Sequence, residues 1–263
     1  MARPGPCQHV SVPEFADPGW DGARNAADLG GLPLVGGGLT EHGRVWRSAA
    51  PEWMTDAGWA AARTAGVSRV IDLRNAAECG RRPEHPEVDE RATRNVSVVH
   101  APTEDPDDPE FLEECGPWLD HPRSWAPNLR RYPDKFAHVF SAIADAEGPV
   151  LIHCAGGRDR TGMVCSILLA LNGVEAGAIC ANYEHGFRGA GEHRGHGLAY
   201  DHETGAWTDN DSRPWTRAEL DEAMADRLPV LSEWLAELDV AAYLRDAGLG
   251  SQAVDRLRVL LQQ

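Results

Sequence analysis

Apolar positions along this chain follow two periods, and the two alternate. Short strand-type runs occur at Gly43–Ser48 (GRVWRS), Val67–Leu73 (VSRVIDL), Val96–His100 and Val150–Ile152. Between them lie stretches with helical spacing. The first runs from Thr55 to Ala65, with Trp59, Ala62 and Ala65 on one face. The next opens at Pro133 and carries Phe136, Val139, Phe140 and Ile143. Thr161–Leu171 and about Glu175–Tyr183 follow, and Arg217–Leu238, Val240–Ala247 and Ser251–Leu261 close the chain. Strands alternating with helices predict an α/β fold, read as a single domain over 1–263 with a central, mostly parallel sheet flanked by helices.

The interruptions are equally regular. Asn25–Gly31 (NAADLGG) and Gly36-Gly37-Gly38 read as turns, and the first twenty-odd residues, rich in Pro, Gly and Ala, as a surface wrap. Thr103–Glu110 is acidic and proline-rich, and Phe111–Arg131 is weakly patterned around Trp118 and Trp125. Residues 103–131 are therefore a candidate lid. Residues 187–214 hold Gly, His and Asp with almost no core-forming side chains and read as an inserted loop before the C-terminal helices of 217–263.

Composition narrows the function. Hydrophobic residues at 42% and charged residues at 25% describe an ordinary soluble globular chain. Asp+Glu 41 against Lys+Arg 25 gives a net charge of −16, which argues against nucleic-acid partners. No apolar run reaches membrane-spanning length, and Met1–Cys7 has no apolar signal core, so a cytoplasmic protein without membrane contact is expected. The six cysteines show no CxxC pairing and are expected to be free thiols rather than zinc ligands or a disulfide framework. Lys135 is the only lysine, so an arginine carries no functional weight merely by being arginine.

Val150–Gly162 (VLIHCAGGRDRTG) concentrates the chemistry. A buried strand delivers Cys154 to its carboxyl end, and a helix opens at Arg160-Thr161. Gly156 and Gly157 allow the backbone between them to curl into an anion-binding nest. The positive end of the helix dipole favours a phosphate dianion and a cysteine thiolate alike; thiols so placed titrate at roughly 3.5–7.5. Arg160 offers a planar fork for two phosphate oxygens. Inert burial of Cys154 would need neither the glycines nor the arginine.

The segment His153-Cys154-x5-Arg160-Thr161 resembles the phosphate-binding loop of cysteine-dependent tyrosine phosphatases. HCAGGRDRTG is similar to the HCxAGKDRTG loop of the bacterial and fungal group with tyrosine, lipid or dual phosphatase activity. NAADLGG, GRVWRS, the helix after Thr55, VIDLRN and the closing helices also follow that group's order. The resemblance implies a metal-independent phosphate-monoester hydrolase without cofactors, acting on phosphotyrosine proteins. A nucleotide or sugar phosphate in a bacterial pathway is the alternative substrate. It implies that Cys154 forms a phosphocysteine, and that Arg160 with the loop N–H groups of Ala155, Gly156, Gly157, Arg158, Asp159 and Arg160 holds the phosphate oxygens. It further implies that Thr161 assists the departing thiolate and that His153 orders the loop. A rhodanese-like sulfurtransferase and a non-catalytic phosphate-binding module are the remote alternatives. The rhodanese loop is usually shorter between its cysteine and arginine.

The general acid stays open at this point. Asp72 ends a parallel strand, where ligand crevices form, or else pairs with Arg74 or Arg47. Asp159 lies inside the loop, and the stretch Glu104–Asp108 offers further carboxylates. Two positions depart from the pattern of the group. Arg158 stands where lysine is usual, its fork suited to a second phosphate or a carboxylate, and Ala27 stands where arginine is frequent. His193, His196 and His202 read as incidental loop histidines rather than metal ligands.

Overall fold

A computed structural model describes residues 15–193, 197–210 and 212–262. The expected surface wrap lies largely outside them, as does His196. In chain order the elements are β1 (Ala27–Asp28), β2 (Val45–Ser48), α1 (Asp56–Thr64), β3 (Arg69–Asp72), β4 (Ser97–His100), α2 (Pro109–Cys115), α3 (Trp125–Arg131), α4 (Pro133–Ala144) and β5 (Val150–His153). Then follow α5 (Asp159–Leu171), α6 (Ala176–Gly191), β6 (Leu198–Asp201), β7 (Ala206–Asp209), α7 (Arg217–Glu237), α8 (Val240–Asp246) and α9 (Ser251–Val259).

The fold is α/β, as the alternation predicts. The main sheet has the order β1-β2-β5-β3-β4, with β2, β5, β3 and β4 parallel and only β1 antiparallel. β5 sits at its centre and is buried at every residue, which is why Val150–Ile152 reads as an uninterrupted apolar run. The register sets His153 beside both Ser48 of β2 and Asp72 of β3, so the carboxyl ends of three strands meet at one edge. β4 is the outer strand, and Val98 on it is 65% exposed.

Helix ends follow their local chemistry. Thr55 caps α1 by accepting the Gly58 N–H, and Asp108 caps α2. The main core gathers Phe136, Phe140 and Ile143 of α4, Ile167 and Leu168 of α5, and Leu231 of α7 around β5. Trp125 stands edge-on to both Tyr183 and Trp234, with ring centroids 5.4 and 5.1 Å apart. In the stretch expected as a lid, Phe111, Cys115, Trp125 and Leu129 are buried. No helix among the described residues is long and apolar enough to cross a membrane.

Three expectations are corrected. α6 continues to Gly191 rather than ending near Tyr183, and residues 198–209 form an antiparallel β6–β7 hairpin rather than a loop. Gly186 and Gly189 look like helix breakers, yet they are packing glycines. A Cβ on Gly186 would run into the Arg47 guanidinium, and one on Gly189 into the Asn25 side chain. Cys79, Cys115, Cys154 and Cys165 are free thiols, whereas Cys180 is disulfide-bonded, against the expectation of free thiols throughout.

Candidate active site

Cys154 follows β5 directly, and the turn from Ala155 to Arg158 leads into α5. The turn is shaped from outside. Ala50 N–H donates to the Ala155 carbonyl at 3.0 Å. Asn25 Nδ2 donates to the carbonyls of Gly156 at 2.8 Å, Gly157 at 3.2 Å and Gly186 at 2.8 Å. Arg47, fully buried, donates through Nη2 to the Gly157 carbonyl and through Nη1 to Asn182, at 3.0 Å to its carbonyl and 2.8 Å to Oδ1. With three successive carbonyls drawn outward, the loop amides turn toward the opposite, concave side. Gly157 makes the turn possible: its φ is +65°, and a Cβ there would lie 2.5 Å from the Ser48 backbone.

The concave side opens into a cavity of about 390 Å³. Cys154, Ala155, Gly156, Arg158, Asp159 and Arg160 line its floor. Glu78 and Glu104 stand on one side, and Pro117 with Asp120 on another. Tyr200, His202 and Trp207 of the hairpin, with His193 and Trp215, form the roof. The hairpin is anchored there: Trp207 Nε1 donates to the Pro106 carbonyl at 3.2 Å, and Arg82 pairs with Asp209 at 3.5 Å.

The candidate acids separate by environment. Asp72 is enclosed by Arg74, which donates from Nε at 2.9 Å, Nη2 at 2.7 Å and its backbone N–H at 3.0 Å. Burial alone would raise its pKa, but those hydrogen bonds and the charges of His153 and Arg74 bring it down to about 2. It is absent from the cavity wall. Asp159 lines the cavity, and burial pushes its pKa up despite Arg158, whose Nε holds Oδ2 at 2.5 Å. Its Oδ1 is buried and has no protein partner among the described residues. Glu104 also lines the cavity with a pKa raised by burial.

Arg158 turns to the protein's own carboxylates, Asp159 and, at 3.5 Å, Asp120. It lies 5.2 Å above the Phe187 ring, with Arg227 4.7 Å from the same ring. Arg160 is held by Glu78 through both terminal nitrogens. Thr161 is fully buried, and its hydroxyl has no protein partner among the described residues. His153, its pKa lowered by burial, donates from Nδ1 to the Cys154 carbonyl at 3.1 Å. Asn25, Arg47 and Glu78 are the site residues that the sequence reading missed. The spacing Asn75-x-x-Glu78 was a signal: the Glu78 side chain reaches back and accepts the Asn75 backbone N–H at 3.0 Å, one half of a capping box.

The match to known proteins covers nearly all of this architecture: the model of the tyrosine phosphatase family fits residues 18–263. The chain belongs to that family. A protein of Cupriavidus necator provisionally named a tyrosine-protein phosphatase is 32% identical over 66% of this chain and 64% of its own length. The triple specificity protein phosphatase PtpB of Mycobacterium tuberculosis is 27% identical over 83% of this chain and 91% of its own. A tyrosine-protein phosphatase of Nostoc commune is 33% identical over 49% and 44%. The matched region thus spans less than two thirds of the Cupriavidus and Nostoc proteins.

Proposed function

We propose that this chain hydrolyses phosphate monoesters through a phosphocysteine on Cys154. The observation that carries the reading is the loop itself: its carbonyls at Ala155, Gly156 and Gly157 are drawn outward around Cys154, with Arg160 on the first helical turn. Amides fixed before substrate arrives stabilise the charge on the equatorial oxygens of a phosphoryl group in transfer. The Cys154 sulfur attacks phosphorus in line, the S–P bond forms as the ester P–O bond breaks, and the leaving oxygen takes a proton. Water then attacks the phosphocysteine and gives up its proton, the P–S bond breaks, and phosphate leaves. Thr161 meets the sulfur as it regains its charge.

Asp159 is the proton donor in this reading, because it combines cavity access, an unpartnered Oδ1 and a raised pKa. Asp72 orders the strand end and keeps its charge. The decisive measurement is a pair of variants. Cys154→Ser should abolish turnover of p-nitrophenyl phosphate while vanadate still binds. Asp159→Asn should slow alkyl phosphates far more than aryl phosphates and flatten the alkaline limb of the pH–rate profile. Retained turnover in Cys154→Ser above contaminant level excludes the covalent route, and an unchanged alkaline limb in Asp159→Asn moves the acid elsewhere.

Phosphotyrosine is the substrate class carried by the names of the Cupriavidus and Nostoc relatives. The aromatic roof over the cavity favours a second reading, a compact small-molecule phosphate enclosed beneath Tyr200 and Trp207.

A further inference from the structure

Two carboxylates compete for the one guanidinium assigned to phosphate. Glu78 occupies both terminal nitrogens of Arg160, with Oε1 at 2.7 Å from Nη2 and Oε2 on Nη1. Glu78 is also fixed from behind, its Oε2 accepting the Asn75 backbone N–H at 3.0 Å. That ion pair is complete by itself. Glu104 nevertheless brings a second carboxylate to the same nitrogen, with Oε1 at 3.5 Å from Nη1. Its other contact is a neutral hydrogen bond from Asn75 Nδ2 at 3.3 Å.

The charged and titratable groups facing Glu104 come from three directions. Arg160 and Asp159 belong to α5, Glu78 to the short turn before residue 79, and the Cys115 thiol to α2. Burial raises the Glu104 pKa, Arg160 opposes that, and the negative charge of Glu78 adds to it. A phosphate dianion arriving at Arg160 brings two further negative charges to this cluster. In a buried site like charges at such range cannot all persist, and the group with the weakest ion pair is the one that neutralises. Glu78 has the bidentate hold; Glu104 does not.

We propose that Glu104 carries a proton whenever the loop holds a dianionic phosphate, so that substrate binding at Arg160 is linked to proton uptake at Glu104. The inference rests on the phosphate-loop reading of Cys154–Arg160 but not on the identity of the general acid. The proton comes from solvent and returns to it when phosphate leaves. Binding that takes up a proton weakens as pH rises, by at most about tenfold per pH unit for one proton.

Calorimetry with tungstate, a dianion near neutral pH, tests this in the Cys154→Ser chain, where the thiol no longer contributes protons. Titrations in two buffers of different ionisation enthalpy, from about pH 6 to about pH 8, count protons taken up per tungstate. Expected is an uptake that approaches one proton within that range. It should disappear when Glu104→Gln is added and persist when Asp159→Asn is added instead. Glu78→Gln should lower the pH at which uptake peaks, because a repelling charge is gone. Zero uptake at every pH in the Cys154→Ser chain overturns the proposal with no variant at position 104 required. Uptake unchanged by Glu104→Gln, or abolished by Asp159→Asn, overturns it as well. Failure of tungstate to bind at all removes the phosphate-loop reading and this proposal with it.

Discussion

The Asp72 carboxylate and the Arg74 guanidinium, both at the carboxyl end of β3, bind through both carboxylate oxygens, at 2.9 and 2.7 Å. Arg74 extends the pair to Glu52 at 2.7 Å, and the Cys79 thiol donates toward Asp72 at 3.6 Å. A carboxylate so held is a poor proton donor, because protonation breaks a paired, hydrogen-bonded arrangement.

Its contribution is therefore to stability, with a defined pH dependence. The folded-state pKa of Asp72, about 2, lies below its ordinary value of 3.8. The unfolded chain thus binds more protons at this position in the window between those values. The stabilisation is full above about pH 4 and is lost as pH falls toward 2, amounting to about 2 kcal/mol. Asp72→Asn should lower the melting temperature at neutral pH, and the loss should shrink in acid. The alkaline limb of the pH–rate profile should survive the substitution. Its disappearance would return the acid's role to Asp72.

Gly157 offers a second expectation. Its φ of +65° and the Ser48 backbone 2.5 Å from any Cβ leave Gly157→Ala nowhere to go. Backbone atoms cannot rotate away as a side-chain tip can, so the loop itself must shift. A left-handed non-glycine residue costs about 1–3 kcal/mol, and a displacement near 1 Å at a reacting centre costs about a hundredfold in rate. Gly157→Ala should show both a lower melting temperature and a collapse of kcat/KM on p-nitrophenyl phosphate. Wild-type kinetics would mean that the turn has slack.

Much of this was legible in the sequence, and the reasons are local. β5, the loop and α5 announce themselves because a buried strand, two glycines and an apolar helix are contiguous. What stayed hidden is non-local. Asn25 and Arg47 reach the loop from 110 or more positions away, at separations where a single sequence carries no pattern. The true end of α6 was hidden for the same reason: Gly186 and Gly189 look like breakers until Arg47 and Asn25 are seen to need that space. The Asp72–Arg74 pair was anticipated as one option among several, and geometry was needed to choose it over Arg47.

The bracing of the loop yields a third expectation. Arg47 is fully buried, and burial lowers its pKa, yet arginine keeps its charge even so. A lysine there would lose the fork that joins Asn182 to Gly157 and would release its proton far more readily. Arg47→Lys should lower kcat about tenfold or more at neutral pH, with a further decline as pH rises through the depressed lysine pKa. Asn25→Ala should weaken vanadate binding without adding that pH dependence. A pH-independent loss in Arg47→Lys would mean that geometry alone, and not charge, is what Arg47 supplies.

The roof separates the two substrate readings. Tyr200 and Trp207 pack as a tilted pair over the cavity, with ring centroids 5.0 Å apart, Trp207 is tied to Pro106, and a Cβ on Gly116 would lie 2.9 Å from the Tyr200 ring. Replacing residues 198–209 by a short glycine linker removes these walls and leaves α6 intact, since that helix ends at Gly191. If the roof encloses a compact substrate, kcat/KM for nucleotide or sugar phosphates should fall by about a hundredfold, the scale of a few lost stacking and apolar contacts. p-Nitrophenyl phosphate, held mainly by its phosphate, should change little. A phosphotyrosine peptide should improve, because the obstruction above Cys154 is gone. The opposite pattern has an equally clear meaning. If the intact chain already prefers phosphotyrosine peptides and the shortened one handles every substrate alike, the hairpin does not select, and the small-molecule reading falls.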